Sequence, residues 1–394
     1  MDQSQLKQIV QSAAGLRLRL RLQPLYGTGE VVFPCTVAGG KYQTSKRRIP
    51  GYSESVDCTI LDSVQSQANR MEDALLADIR AGNIFIPHVV TDFSGLGEQL
   101  KKPVGAITCF EAPHRLFDAI LRDSVDAEGL HFPFTDEGKA AVAANSRDAS
   151  ALFVISPASL LFGSWDSTGV SGGLGEKYTR CVVSELVAVN VERSVRSGTR
   201  IDPLNSAGGI DPGAILKSTK DSMWQDLAKN RKMKKPAELN HGSVPWEGGS
   251  EREPHGGVTC DYIQQSTTLS LPALRQLGFP LDNAERSAAA RTVLAAIAIH
   301  AAALNVERGW HLRSRCDLTL DADQGILWEV LGAEGEPLPL PSTSTRTLLI
   351  ESIDAAKKTG LPWRDEPIRL VPSKALADLV VKSQEAHRTS ATEE

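Results

Sequence analysis

Leucine and arginine alternate strictly from Leu16 to Leu22, which predicts a strand. Leu16, Leu18, Leu20 and Leu22 fall on one face, and Arg17, Arg19 and Arg21 on the other. One face therefore belongs to a core and the opposite face is strongly cationic. Three arginines on a sheet face can hold phosphates or pair with acidic neighbours. From Leu61 to Arg80 the period changes. Val64, Ala68, Met71, Leu75 and Ile79 form one apolar stripe at helical spacing, with Asp62 or Ser63 placed to cap its start. The first two turns also carry Ser63, Gln65, Ser66, Gln67, Asn69 and Arg70, with one charge among them. Amides and hydroxyls in fixed directions suit a polar polymer; they equally suit capping and bonds to nearby loops.

Further along, Asn83–Val90, Val104–Phe110, Ala151–Ser156, Cys181–Val191, Gly257–Leu271 and His311–Leu320 read as strands, the third of the buried kind, as does ILWEVL. Ala112–Ser124, a turn within Gly138–Ser150, LPALRQLGF, Ala284–Trp310 and STRTLLIESIDAAKKTG read as helices. The Ala284–Trp310 segment is apolar nearly all round, so it predicts a buried helix with His300 as a core histidine. Residues 24–57 read as loop, with KRR at Lys46, Arg47 and Arg48 flanked by Tyr42 and Tyr52. A basic loop beside aromatic rings suits phosphate contact and base stacking, or is simply solvated. Coarsely, the order is strand, long helix, strands, then strand, long helix, strand. That is the βαβ–βαβ outline of an α+β, ferredoxin-like or RNA-recognition fold expanded by insertions.

Pro157–Arg180 is glycine-rich, with Gly163, Gly169, Gly172, Gly173 and Gly175 before Lys177 and Arg180. Glycines let a backbone approach an anion closely. The Gly-Lys-Ser/Thr ending of a Walker A loop is missing, and no dinucleotide fingerprint stands in a βαβ frame. A phosphate-cradling loop for a polymer and a plain flexible loop both fit. Between Glu192 and about Gly256 the composition shifts to Gly, Pro, Ser and charge. Lys217, Lys220, Lys229, Arg231, Lys232, Lys234 and Lys235 stand there against Asp221 and Asp226. This reads as a projecting insertion. His241 follows as a potential general base, without a paired His or acid in motif spacing.

The 394 residues are 41% hydrophobic and 23% charged, enough for a buried core in one large domain. A formal charge of −5 argues against indiscriminate nucleic-acid binding, while leaving room for a local basic groove. The six cysteines are scattered, which indicates neither a zinc knuckle nor a disulfide framework and fits a reduced, cytoplasmic setting. The polar start MDQSQLKQIVQ is unlike a signal peptide, and no membrane association is expected.

The blocks LDSVQSQANRMEDAL, LLFGSWDSTG with GGLGEKYTR and VSEL, LNHGSVP, GGVTCDY with LSLPALRQLGFP, and LRSRCDL occur in this order. They resemble the motifs of the backbone subunit of type I-U (I-G) CRISPR interference complexes, a family of the RAMP superfamily with RNA-recognition-like folds. PASLLFGSW departs from the expected pattern, since Ala158 and Ser159 supply no basic residue before the LLFG. The resemblance implies one RNA-recognition-like domain over 1–394. It implies a fingers or web insertion at 93–150 and a thumb at 192–256; the polar tail at 384–394 is expected to fray. The resemblance implies a non-catalytic role, with no metal or cofactor. Copies of the chain polymerise along a CRISPR RNA and present it to a target DNA strand. They do so beside a large subunit and a fused subunit that binds the CRISPR RNA end, and a helicase–nuclease is recruited to cut. Base pairing then supplies sequence specificity while the protein reads backbone and shape.

On this reading Gln65, Gln67, Asn69 and Arg70, with Arg17, Arg19 and Arg21 on an adjoining strand, form part of the RNA-holding palm. Arg47 and Arg48 add loop contacts. Gly163, Ser164, Trp165, Ser167, Gly172, Gly173, Lys177 and Arg180 cradle the backbone, and Lys232, Lys234, Lys235 and His241 meet nucleic acid from the insertion. Arg313 and Arg315 are RNA ligands or structural anchors. The competing class is an RNA endonuclease of the same superfamily, acting through Asp57, Asp92 or Asp166 on target RNA or the CRISPR RNA precursor. A nucleotide-binding enzyme using the Gly169–Gly175 loop and a purely structural scaffold are further alternatives.

Overall fold

The computed structural model describes residues 1–37, 41–170, 175–194, 256–279, 284–321, 325–332 and 336–393, with side chains described as far as residue 385. Gly172, Gly173, Lys232, Lys234, Lys235 and His241 lie outside the described residues, as does nearly all of the 192–256 insertion.

The architecture is mixed helix and sheet. After helix α1 (Gln3–Ser12), strand β1 (Gly15–Pro24) runs through the middle of the main sheet. Its four leucines are buried, whereas Arg19 and Arg21 are exposed and Arg17 half-buried, as the alternation requires. β2 (Thr44–Arg47) and β3 (Val56–Asp62) form one end of the sheet, followed by helix α2 (Val64–Arg80). β4 (Val182–Val189) and β5 (Tyr262–Ser270) come next in sequence, then helix α3 (Ala284–Glu307). β6 (Trp310–Arg313), β7 (Cys316–Leu320), β8 (Leu327–Leu331) and helix α4 (Ser342–Lys358) complete this unit. The sheet order is β6–β7–β1–β5–β4–β3–β2, with every neighbouring pair antiparallel. β1 pairs with β5 from Gly15↔Ser270 to Leu22↔Ile263. Its other edge is shared: β8 takes Gly15–Leu18 and β7 takes Leu22–Pro24.

The helices cover the leucine side of β1. α3 is buried along most of its length and packs on α1, α2 and α4. It is long and apolar enough to cross a membrane, yet 83% of its qualifying 18-residue stretch is buried within the fold, as in a core helix. Alanine at so many positions permits this close approach from several sides. A second, small sheet joins Val89–Asp92 to Ala106–Thr108 and, in parallel, to Ile368–Pro372, which also pairs with Ser124–Val125. A last helix spans Lys374–Glu393, across the stretch expected to fray.

Several expected elements change. Ala151–Ser156 is not a strand: Ser150–Ile155 is a helix, and Pro157 opens a second one, Pro157–Phe162. A short apolar run has no period to separate the two states. Ala158 and Ser159 sit in that second helix and are buried, so the position lacking a basic residue faces the core. His311–Leu320 is a hairpin of β6 and β7, turned by Arg315 at φ 60°. Ala112–Ser124 breaks into a 3-10 turn, Arg115–Phe117, and a short helix, Ala119–Arg122, capped by Asp118. Asn83–His88 stays irregular and only Val89–Asp92 is strand. Pro87 cannot donate to a ladder. The 24–57 stretch holds β2 and the first two residues of β3 besides loops.

Candidate nucleic-acid interface

Three groups of predicted site residues occupy three places. The first is the open face of the main sheet. Arg17, Arg19 and Arg21 lie opposite Thr268, Ser266 and Gln264 of β5. Arg17 is paired with Glu329 of β8, Nε to Oε2 at 2.6 Å. Arg21 lies 3.5 Å over the ring of Tyr262, a cation–π contact. Lys46 pairs with Asp57 at 3.3 Å and Arg47 with Glu185 at 3.0 Å, while Arg48 is exposed. The basic triplet is therefore partly a β2–β3–β4 clamp.

The second group is the start of α2. Ser63 caps it, its Oγ accepting from Ser66 N at 3.3 Å. Gln65 and Asn69 are exposed. Gln67 is fully buried and leaves the predicted surface. Its Nε2 donates to Asp62 Oδ2 at 2.5 Å, and its Oε1 accepts from Ser184 Oγ and Gln265 Nε2, each at 3.0 Å, and from Asn305 at 3.2 Å. Trp310 Nε1 donates to Gln265 Oε1 at 2.7 Å and extends the network to β6. Arg70 donates to Asp62 at 2.9 Å and to the carbonyls of His311 and Leu312. It anchors β6 to α2.

These two groups do not form one palm surface. The strand leading into α2 is β3, not β1. The leucines of β1 share the main core with Ala68 and Met71 of α2, so the arginines point away from the helix layer. Arg313 and Arg315 likewise anchor a neighbour. Arg313 donates to the Pro34 carbonyl at 3.0 Å, and Arg315 lies 5.1 Å over the Phe33 ring.

The third group is the glycine-rich segment. Ser164–Trp165 pairs with Lys177–Tyr178 as a small ribbon. Trp165 is about half exposed and carries the Lys177 ammonium 5.5 Å from its ring centroid. Ser164 is buried and donates to Ser159 O at 3.3 Å; Ser167 is half-buried. Gly163 has φ 82°, and a Cβ there would stand 3.1 Å from both Tyr178 O and Arg180 Cγ. Gly169 and Gly175 serve Asp166 rather than an anion. A Cβ at either position would run into the buried Asp166, at 2.1 Å from its Oδ1 and 2.4 Å from its carbonyl oxygen respectively.

Beneath this ribbon lies a pair that the sequence concealed. Arg115 donates to both carboxylate oxygens of Glu72, at 2.6 Å each, and to the Gly163 carbonyl at 2.9 Å. Arg115 takes φ 55°, rare for a side chain of its size. Burial pushes the Glu72 carboxyl up to about 7, against the lowering pull of Arg115. Arg180, at the ribbon's end, is exposed, and loss of hydration and the Arg115 charge beside it push its pKa down. Nothing in the sequence marks Glu72 and Arg115, because they lie 43 residues apart in segments read as ordinary helix.

The carboxylates offered for the nuclease alternative stand apart in role. Asp57 meets Lys46, Asp92 accepts from Ser94 N at 2.9 Å, and Asp166 is enclosed by glycines. Among the described residues no three His, Cys, Asp or Glu side chains group to hold a metal ion. His300 is a core histidine: its Nε2 lies 3.0 Å from Asp78 Oδ2 and its Nδ1 2.9 Å from Thr345 Oγ1, and burial lowers its pKa.

Residues 16–193 match the family described as CRISPR-associated protein GSU0053 (Cas_GSU0053). The matched stretch runs from β1 through α2, the Gly163 ribbon and Arg180 to the end of β4 and just beyond. It indicates a CRISPR-associated protein family and supports a role in CRISPR defence. No curated protein matches the chain.

Proposed function

We propose that this chain is a non-catalytic backbone subunit of a CRISPR RNA-guided interference complex of the type I-U (I-G) class. Copies of it line up along the guide RNA and hold it for pairing with target DNA, beside the large and RNA-end-binding subunits. The observation that carries the reading is a strand order in a chain with a CRISPR-associated match. β7 or β8, β1, β5 and β4 lie side by side, with α2 connecting β1 to β4 and α3 connecting β5 to β7. This order supports reading the unit as a βαββαβ palm of the RNA-recognition-like kind, with β2 and β3 added at one end. The contacts on offer also suit a sequence-blind grip: guanidinium, ammonium and hydroxyl groups beside an exposed indole.

The test is purification of the chain from cells expressing its guide locus, followed by sequencing of the nucleic acid that comes with it. Repeat-flanked guide RNA is the expected result. Absence of RNA overturns the reading. So does cleavage of labelled RNA in magnesium that is lost on replacing Asp57, Asp92 or Asp166 singly, which makes the chain a nuclease.

A further inference from the structure

Two arginines and one carboxylate meet where α2 runs beneath the glycine ribbon. Glu72 reaches up from α2 and takes Arg115 in a bidentate grip, and both side chains are nearly dry. The third donor of Arg115 ends on the carbonyl of Gly163, the residue at which the chain turns into Ser164–Trp165. Gly163 in turn faces Tyr178 O and Arg180 closely enough that a Cβ on it would stand 3.1 Å from the former and from Arg180 Cγ. The chain of contacts is thus Glu72, Arg115, Gly163, Arg180. Its charges do not balance: one carboxylate faces two guanidiniums, and Arg115 takes both of its oxygens. Arg180 makes no hydrogen bond or ion pair among the described residues. Most other arginines of the predicted interface are already used. Arg17, Arg47 and Arg70 have carboxylates, Arg313 has a carbonyl, and Arg21 and Arg315 have rings.

We propose that Arg180 binds a phosphate of the nucleic-acid strand, and that the buried Glu72–Arg115 pair is the positioning device that fixes the Gly163 turn and so aims it. This deepens the guide-RNA reading given above and rests on it. A cation beside a second cation gains more from an arriving anion than an isolated lysine does. Lys177 and Trp165 on the same ribbon extend the site with a second cation and a ring on which a base can stack.

The test uses the full chain and a labelled single-stranded RNA of mixed sequence, titrated over a range of salt. Arg180→Ala is expected to lower the salt slope by about 0.7, one single-strand phosphate, with no change in Tm. Glu72→Gln is expected to weaken binding in the wild-type background and to add nothing in the Arg180→Ala background. An ordinary structural role would weaken binding equally in both backgrounds, and that result overturns the positioning claim. Glu72→Asp, which keeps the charge but draws it back from Arg115, provides the same comparison if Glu72→Gln does not fold. A wild-type chain that binds no RNA overturns both this inference and the guide-RNA reading. Wild-type binding with an Arg180→Ala slope unchanged overturns this inference alone.

Discussion

The side-chain amide of Asn305 donates to Gln67 Oε1 at 3.2 Å, joining α3 to α2 across 238 positions of chain. Ser184 and Gln265 meet the same oxygen from the sheet. Every layer of the main unit therefore ends on one buried glutamine. Gln67→Ala leaves the Asn305 amide without this acceptor and takes one bond each from Ser184 and Gln265, which keep Thr267 and each other; a buried donor left unpaired costs ~1–3 kcal/mol. The expected loss is about 3 kcal/mol by urea denaturation. Gln65→Ala and Asn69→Ala, on the exposed side of the same turns, should stay within about 0.5 kcal/mol of wild type. Equal losses at all three positions would show that Gln67 has no special place.

That glutamine also explains what the sequence revealed and what it hid. Period two in β1 and period near four in α2 were legible because burial enforces them: a leucine or a methionine has one acceptable side. The nearly all-apolar α3 was legible because a helix without a polar face must be enclosed. Polar residues carry no such constraint. Gln67 and Asn69 look alike in sequence, yet one closes a core network and the other faces water. Arg70, Arg313 and Arg315 look like ligands for phosphate and are in fact bonded to carbonyls, a carboxylate and a ring. The β6–β7 turn was illegible for a similar reason. It uses a left-handed arginine where glycine or asparagine is the usual signal. Of the candidate interface, the glycine ribbon was found by composition, whereas the Glu72–Arg115 pair beneath it depends on tertiary contact alone.

Arg70 and Lys177 separate anchoring from binding. Arg70 ties Asp62 to the carbonyls of β6, so Arg70→Ala should cost about 2 kcal/mol, through lost bonds to a charged group. Lys177 projects from the ribbon onto an exposed ring, and Lys177→Ala should leave Tm unchanged. For RNA binding the order reverses. Lys177→Ala should lower the salt slope by about 0.7, and Arg70→Ala should leave the slope as it was. Paired denaturation and binding titrations check this; a slope that falls with Arg70 instead would return that residue to the interface.

Glu72 makes stability depend on pH in an unusual direction for a carboxylate. Its pKa rises from the ordinary 4.5 to about 7, because burial outweighs the attraction of Arg115. Between those values the folded chain holds a proton that the unfolded chain has released. Stability from this group is therefore greatest below about 4.5 and declines as pH rises to about 7. Burial of His300 lowers its pKa and acts the other way, removing stability as pH falls below the ordinary 6.5. The quantity to measure is thus the difference between wild type and Glu72→Gln in urea midpoints taken across this range. The wild type should lose stability relative to the variant as pH rises. A constant difference would mean that the Glu72 carboxyl stays ionised throughout.

Gly169 and Gly175 both enclose Asp166, but they meet different atoms of it. A Cβ at 169 would strike the carboxylate, 2.1 Å from Oδ1 and 2.5 Å from Oδ2. A Cβ at 175 would strike the backbone as well, 2.4 Å from the Asp166 carbonyl oxygen. Alanine at either position overpacks the turn, at about 1–3 kcal/mol. Asp166→Ala removes the carboxylate and leaves the carbonyl where it was. In that background Gly169→Ala should become nearly neutral, whereas Gly175→Ala should keep most of its cost. The two double-mutant cycles, read by thermal or urea denaturation, should therefore differ in coupling by more than about 1 kcal/mol. Were these glycines instead required for close approach of an anion, both substitutions would spare stability, weaken RNA binding and ignore the state of residue 166.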